Sequence, residues 1–198
     1  MGITSYSFLG SEFTNRDVKR GSVLISEPFL SDDNFSRTVV LITEHNEKGS
    51  FGLVLNRPYE KKSLDKLVDG FENSPIPLFL GGPVEHNTLH FVHSLGHQVP
   101  STIQISEHLF WGGDFEYLRL LSTTRQLDPT KFKFFIGYSG WMPNQLNEEV
   151  KAKSWVVTNL KPDHIFQLPS DAMWSECLKS LGGKFKEWLN FPVDPILN

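Results

Sequence analysis

Residues 134–149 read Phe-Phe-Ile-Gly-Tyr-Ser-Gly-Trp-Met-Pro-Asn-Gln-Leu-Asn-Glu-Glu. The apolar run that ends at Gly137 has the composition of a buried strand, and the glycines around Tyr138–Trp141 predict a tight corner. Pro143 suits the first turn of a helix, in which Gln145 and Glu149 would share one face. This order predicts a platform for a binding site, because free N–H groups at a helix start can face a ligand.

Further strands are predicted outward from this stretch by apolar, β-branched runs. Two of them, residues 38–43 and 51–55, form a predicted hairpin, because a short turn with Gly49 joins them. The other predicted strands are residues 22–26, 78–80, 88–94, 102–106, 132–138 and 154–157. Helices are predicted over residues 63–69, 114–125 and 143–152, and from Ser170 or Asp171 onward.

Strands outnumber helices and are joined by loops of hairpin length. This pattern favours an α+β fold, with a mixed, largely antiparallel sheet and flanking helices. The length of 198 residues is typical of one domain, so we expect a single domain over residues 1–198. Within it, residues 1–20 would form an N-terminal arm or helix, and residues 170–198 a helical C-terminal segment.

The composition disfavours several classes of protein. Lysine and arginine are scattered among acids and the formal net charge is −4, which disfavours DNA as a partner. Cys177 is the only cysteine, so an intramolecular disulfide is excluded and a reducing, cytoplasmic location is expected. No signal-peptide pattern and no apolar run of membrane-spanning length occurs, so we expect no membrane association.

Several short motifs occur in a specific order along the chain. They are Pro28, Phe35-Ser-Arg37-Thr-Val-Val, Glu44-His45, Gly52-Leu-Val-Leu-Asn56-Arg-Pro58, Gly81-Gly82-Pro-Val84, His93, Gly137–Trp141 and Gln145-Leu146. Together they resemble the bacterial YqgE/AlgH family over about residues 21–169. The resemblance implies an α+β fold built around a barrel-like sheet. Members often carry the label of transcriptional regulator, and the resemblance implies no particular reaction.

Two positions depart from the family pattern near its most informative motif. Asn144 stands where the family usually has glycine, and Asn147 stands where it usually has glutamate. Glu149 still matches an acidic position of the family. If an acid at position 147 were required for catalysis, this chain would be inactive or would act differently.

Four histidines lie within twelve residues, and two alternatives describe them. On a helix, the spacing of His86, His90, His93 and His97 would align them on one face, as metal ligands require. The composition of residues 88–93 instead favours a strand, in which His90 and His93 would point to opposite faces. The strand agrees with the family, so we expect no metal and no other cofactor.

A polar group of Arg37, Glu44, His45 and Asn56 lies at the ends of the predicted hairpin. An acid, an imidazole and a guanidinium could together grip an anion. Pairing in the hairpin nevertheless places residue 56 near residue 37, and residues 44 and 45 at the turn. The alternative is therefore that these side chains cap strand ends and form one arginine–carboxylate pair.

A weak nucleophile motif surrounds Ser139. Gly137-Tyr-Ser-Gly-Trp141 differs from the Gly-x-Ser-x-Gly nucleophile elbow at its last position, where Trp141 replaces glycine. The elbow also requires a parallel sheet, which is not predicted here. One alternative function is a protein-interaction module that acts indirectly in transcriptional regulation, with an exposed aromatic C-terminal stripe as the surface for a protein partner or a homodimer. Another is a hydrolase that uses Ser139 or a His/Glu pair. The main prediction is a binding domain for a small molecule or anion. Its candidate residues are Arg37, Glu44, His45, Asn56, Gly81, Gly82, His93, Gly140, Trp141, Gln145 and Glu149.

Overall fold

The structure is a computed structural model that describes residues 17–30 and 32–192. The strands are β1 (Val23–Ser26), β2 (Val39–Asn46), β3 (Gly49–Val54), β4 (Pro58–Ser63), β5 (Pro77–Leu80), β6 (Val84–His93), β7 (Ile103–Ser106), β8 (Leu109–Trp111), β9 (Phe132–Trp141) and β10 (Trp155–Thr158). The α-helices are α1 (Leu64–Leu67), α2 (Phe115–Thr123), α3 (Gln145–Lys151), α4 (Pro162–Gln167) and α5 (Ser170–Leu181). Short 3₁₀ helices span Gly96–Gln98, Pro129–Lys131 and Gly183–Asn190.

The strands form one twisted sheet in the order β10-β1-β2-β3-β9-β6-β8-β7, with β5 pairing with β4 and β9 beside this path. All pairings are antiparallel except β5 with β9. The predicted α+β class and largely antiparallel sheet are therefore confirmed. Among the described residues no pairing joins β10 to β7, so the sheet is open and the barrel-like closure implied by the resemblance is not formed.

Strand β9 corrects the prediction for residues 137–141. β9 does not end at Gly137 but continues to Trp141, and it pairs there with β3. Gly137 has a φ of 66°, and the register between β6 and β9 shifts across it. This left-handed residue bends the strand without ending it, as glycine allows at a bulge. The corner predicted before Pro143 therefore begins only at Met142.

The predicted hairpin of β2 and β3 is confirmed, and so are the helices α2, α3 and α5. The sequence did not predict β4, β8 or α4. Residues 1–16 of the predicted N-terminal arm lie outside the described residues. In the part of the chain that the structure describes, no helix has both the length and the apolar composition to span a bilayer.

Aliphatic and aromatic side chains of both sheet faces form the core. One cluster lies between the sheet and the C-terminal helices and includes Leu41, Leu53 and Trp174, while a second surrounds Phe71 and Phe134 next to α2. A third cluster contains Trp141 and Trp155 and is covered by α3. Several of the residues predicted to form a site thus lie close to the third cluster, where β9 meets α3.

Candidate functional site

Glu149 accepts hydrogen bonds from two tryptophans and a glutamine. Its Oε2 accepts from Nε1 of Trp141 at 2.9 Å and from Nε1 of Trp155 at 2.7 Å, and its Oε1 accepts from Nε2 of Gln145 at 2.8 Å. Oε1 of Gln145 in turn accepts from the backbone N–H of Met142 at 2.9 Å. Gln145 and Glu149 therefore lie on one helix face, as predicted. Both side chains form hydrogen bonds to other residues of the protein.

Phe35 completes the surroundings of the two indoles. Its ring stacks on Trp141 with centroids 6.0 Å apart and meets the edge of Trp155 at 5.5 Å. Both tryptophans are buried, so their polar N–H groups need an internal acceptor. Glu149 supplies that acceptor, and this fixes α3 against β9 and β10.

Two adjoining depressions lie beside this network, and the predicted site residues are divided between them. Glu44, Gly140 and Trp141 line one of about 350 Å³. His45 lines a separate one of about 190 Å³, together with Asn144 and Asn147, and its Nδ1 lies 2.7 Å from Oγ of Ser50. Helix α3, which begins beside them, has only seven residues.

Gly81 and Gly82 pack closely against β9. A Cβ atom at Gly81 would lie 2.2 Å from the carbonyl oxygen of Gly137, and one at Gly82 would lie 2.3 Å from Oγ of Ser139. The fully buried Ser139 donates its hydroxyl proton to the carbonyl of Gly81 at 3.0 Å. No histidine or carboxylate among the described residues is bonded to Ser139, so no base is in place to activate it.

Replacing Ser139 by alanine is therefore expected to cost about 1 kcal/mol in the free energy of unfolding, the usual worth of one hydrogen bond. Urea denaturation would measure this. Ser180→Ala is the matched control, because that residue is exposed on α5 and loss of its hydroxyl should change stability by less than about 0.5 kcal/mol. Equal losses in both variants would contradict a structural role for Ser139.

His93 is fully buried and bonded on both ring nitrogens. Its Nε2 lies 2.8 Å from Oγ1 of Thr102 and 3.2 Å from the carbonyl oxygen of Gly112, and its Nδ1 accepts from the N–H of Leu95 at 3.3 Å. Burial lowers the pKa of His93 to about 4, against an opposing effect of the Gly112 carbonyl. His93 thus holds β6, β8 and the loop after β6 together, out of reach of a ligand.

The four clustered histidines do not form one group. The strand predicted over residues 88–93 is confirmed as part of β6, and His90 and His93 lie in different surroundings. His86 is exposed and His97 lies in a 3₁₀ turn. Among the described residues, no set of three or more His, Cys, Asp or Glu side chains could hold a metal ion.

Arg37 and Asn56 meet, as the hairpin pairing predicts, far from Glu44 and His45. Asn56 accepts from the N–H of Val39 at 2.9 Å and donates to the carbonyl of Arg37 at 3.0 Å. Both residues line a cleft of about 470 Å³ that we call the arginine cleft. Its lining residues are Asp33, Ser36, Arg37, Asn56, Arg57, Ser170, Asp171, Trp174, Ser175 and Leu189.

Two guanidinium groups project from the walls of the arginine cleft. Nη2 of Arg57 donates to the carbonyls of Asp33 and Ser36 at 2.9 and 3.0 Å. Arg37 donates to the carbonyl of Phe191, and its guanidinium carbon lies 4.9 Å from the ring centroid of Trp174. Neither arginine forms an ion pair among the described residues.

Sequence reasoning missed Arg57 and Trp174 as parts of this cleft. Arg57 directly follows Asn56 in the Asn-Arg-Pro motif, so its charge was a signal that could have found it. Trp174 stands in a helical apolar stripe, which by itself predicts only core packing.

Comparison with known proteins shows the family of this chain. The AlgH-like family profile matches residues 23–186. The chain belongs to the AlgH-like family. A UPF0301 protein of Parabacteroides distasonis is 42% identical over 195 residues, which cover 94% of this chain and 96% of the relative. One of Chlorobium limicola is 40% identical over 181 residues, which cover 91% and 96%.

Two solved structures share the fold of this AlgH-like chain. A crystal structure of a Corynebacterium diphtheriae protein has a TM-score of 0.76 at 20% identity and covers 96% of this chain and 100% of that one. The solution structure of AlgH from Pseudomonas aeruginosa has a TM-score of 0.68 at 24% identity and covers 97% of each chain. At these identities the likeness shows the fold alone.

Proposed function

We propose that this protein is a binding domain for a small anionic molecule, such as a phosphorylated or carboxylated metabolite, in the arginine cleft. The observation that carries the proposal is the pair of guanidinium groups of Arg37 and Arg57 in one cleft. Each guanidinium has five N–H donors in a fixed fork, which suits bidentate contacts to phosphate or carboxylate. The backbone carbonyls beside the two arginines accept from only some of these donors.

Arg37 supports the proposal with an unmet hydrogen-bond donor. Its Nε is buried and has no partner among the described residues. An unpaired buried donor typically costs about 1–3 kcal/mol, and a bound anion would remove this cost.

The acidic residues of the cleft restrict the kind of anion. Asp33 and Asp171 are exposed at its rim, and neither pairs with the arginines. They would repel a large polyanion such as nucleic acid, in agreement with the net charge of −4. The volume of about 470 Å³ lies within the range of small-molecule sites.

A thermal-shift titration of the purified protein tests this function. Inorganic phosphate, pyrophosphate and citrate would be compared with sodium chloride at equal ionic strength. A ligand at 100 times its Kd adds about 2.7 kcal/mol, which raises the Tm of a chain of this length by roughly 5–11 °C. We expect the rise in the wild type and in Arg125→Gln, which changes an exposed arginine outside the cleft, but not in Arg37→Gln.

Arg57→Gln provides a second test if Arg37→Gln fails to fold, since Arg37 also holds the backbone at Phe191. Two results would overturn the proposal: no anion raises the Tm beyond the effect of salt, or both cleft variants respond like the wild type.

A further inference from the structure

A second cavity, separate from the arginine cleft, lies where β6, β7 and β8 meet the start of α2. It has a volume of about 380 Å³. None of its lining side chains is an aspartate, glutamate, lysine or arginine, and we call it the ring cavity. The lining residues are Leu89, His90, Phe91, Ser101, Ile103, Trp111, Gly112, Gly113 and Phe115.

Packed aromatic rings support one wall of the ring cavity. His90 and Trp111 pack on Phe51, with centroids 5.2 and 5.1 Å from it. Phe51 in turn stacks on Tyr138 with centroids 4.1 Å apart and planes 15° from parallel. At Gly112 a Cβ atom would meet nothing within 4 Å, so the space beside this wall is open. A rigid aromatic wall beside an open slot favours a flat apolar ring, since ring stacking rewards planar ligands.

His90 lines the ring cavity and carries one unpaired hydrogen-bond acceptor. The hydroxyl of Thr88 donates its single proton to the carbonyl of Glu85 at 2.8 Å. Thr88 Oγ1 must therefore accept from Nε2–H of His90, which lies 3.0 Å away. Burial lowers the pKa of His90, against an opposing effect of the Glu85 carboxylate, so the ring is neutral near pH 7. The Nδ1 lone pair has no partner among the described residues.

We infer that the ring cavity binds a small, uncharged, planar aromatic molecule that donates one N–H or O–H hydrogen bond to Nδ1 of His90. The absence of charged groups from the cavity lining disfavours an ionic ligand, because a charge there would lose water without gaining a partner. The volume fits one or two fused rings and is too small for a helix of a partner protein.

Indole and 1-methylindole are suitable probes, because they share one ring system and a methyl group replaces the N–H donor in the second. Each would be titrated into ¹⁵N-labelled full-length protein while the amide signals of Ser101, Gly112 and Gly113 are followed. We expect saturable shifts with both probes, and a Kd for 1-methylindole about three- to tenfold higher, the worth of one hydrogen bond. In His90→Phe the preference for indole should be lost.

Ile103→Glu is the blocking variant, because Ile103 is 43% exposed at the cavity and tolerates a polar replacement. It should weaken indole binding at least tenfold, whereas Leu120→Glu, at an exposed position outside the cavity, should leave it unchanged. The inference is overturned if indole gives no saturable shifts, if Ile103→Glu binds it like the wild type, or if both probes bind the wild type equally. Because the arginine cleft is not involved, these outcomes are independent of anion binding.

Discussion

Glu149→Ala is expected to lower the free energy of unfolding by about 3–5 kcal/mol, the largest effect of any substitution considered for this chain. The variant leaves the indole N–H groups of the buried Trp141 and Trp155 without their acceptor. Hydrogen bonds to charged groups are each worth about 1.5–3 kcal/mol, and a buried donor left unpaired costs a similar amount. Urea denaturation monitored by tryptophan fluorescence measures the difference.

Two control variants make this test specific to the carboxylate of Glu149. Glu148→Ala removes an exposed glutamate one residue earlier, whose partner is Lys151, and should change stability by less than about 0.5 kcal/mol. Glu149→Gln keeps one acceptor oxygen for the indoles and should lie between the wild type and Glu149→Ala. If Glu149→Ala is as stable as Glu148→Ala, the carboxylate is not what holds the two tryptophans.

This network shows where reasoning from the sequence reaches its limit. The spacing of Gln145 and Glu149 correctly predicts that they share a helix face, because that is a local property of helices. What faces them is decided by tertiary packing, which brings Trp155 of the next strand to the same carboxylate. The spacing of Gln145 and Glu149 suggests that they face a ligand, but in the structure their hydrogen bonds are made to other residues of the protein.

The predicted elements follow the same rule. Long apolar runs such as β2 and β9 are predictable because burial on both faces leaves a strong compositional signal. The strand β4 is missed, since residues 58–63 are mostly polar and begin with proline. The sequence predicts that a strand ends at Gly137. In the structure this residue has a left-handed φ and bends β9 without ending it, at the point where the register between β6 and β9 shifts.

One wall of the arginine cleft can be predicted from the sequence, and the other cannot. Antiparallel pairing alone places Arg37 beside Asn56 and away from Glu44 and His45, as the structure shows. The opposite wall comes from α5, more than a hundred residues later, and no short-range pattern links Trp174 to Arg37. Contacts of this kind depend on the path of the whole chain and are invisible to motif spacing.

The second large effect is the contribution of His93 to the free energy of unfolding, which depends on pH. Burial holds its pKa near 4 in the folded protein, and a proton on Nδ1 would also oppose the N–H of Leu95. In the unfolded chain the pKa returns to about 6.5, so below that pH the unfolded state binds more protons than the folded state. The stability contributed by neutral His93 is thus complete above pH 6.5 and is lost as the pH falls toward 4.

The expected loss is about 2 kcal/mol between pH 7 and pH 5 and about 3 kcal/mol by pH 4. Urea denaturation of the wild type and His93→Gln at these pH values isolates it, because all other titrating groups are common to both proteins. Glutamine keeps a donor and an acceptor but does not titrate, so the variant should lose about 2–3 kcal/mol less than the wild type on acidification. Parallel pH profiles for the two proteins would show instead that folded His93 takes up its proton over the same pH range as the unfolded chain, which would contradict a buried, neutral ring.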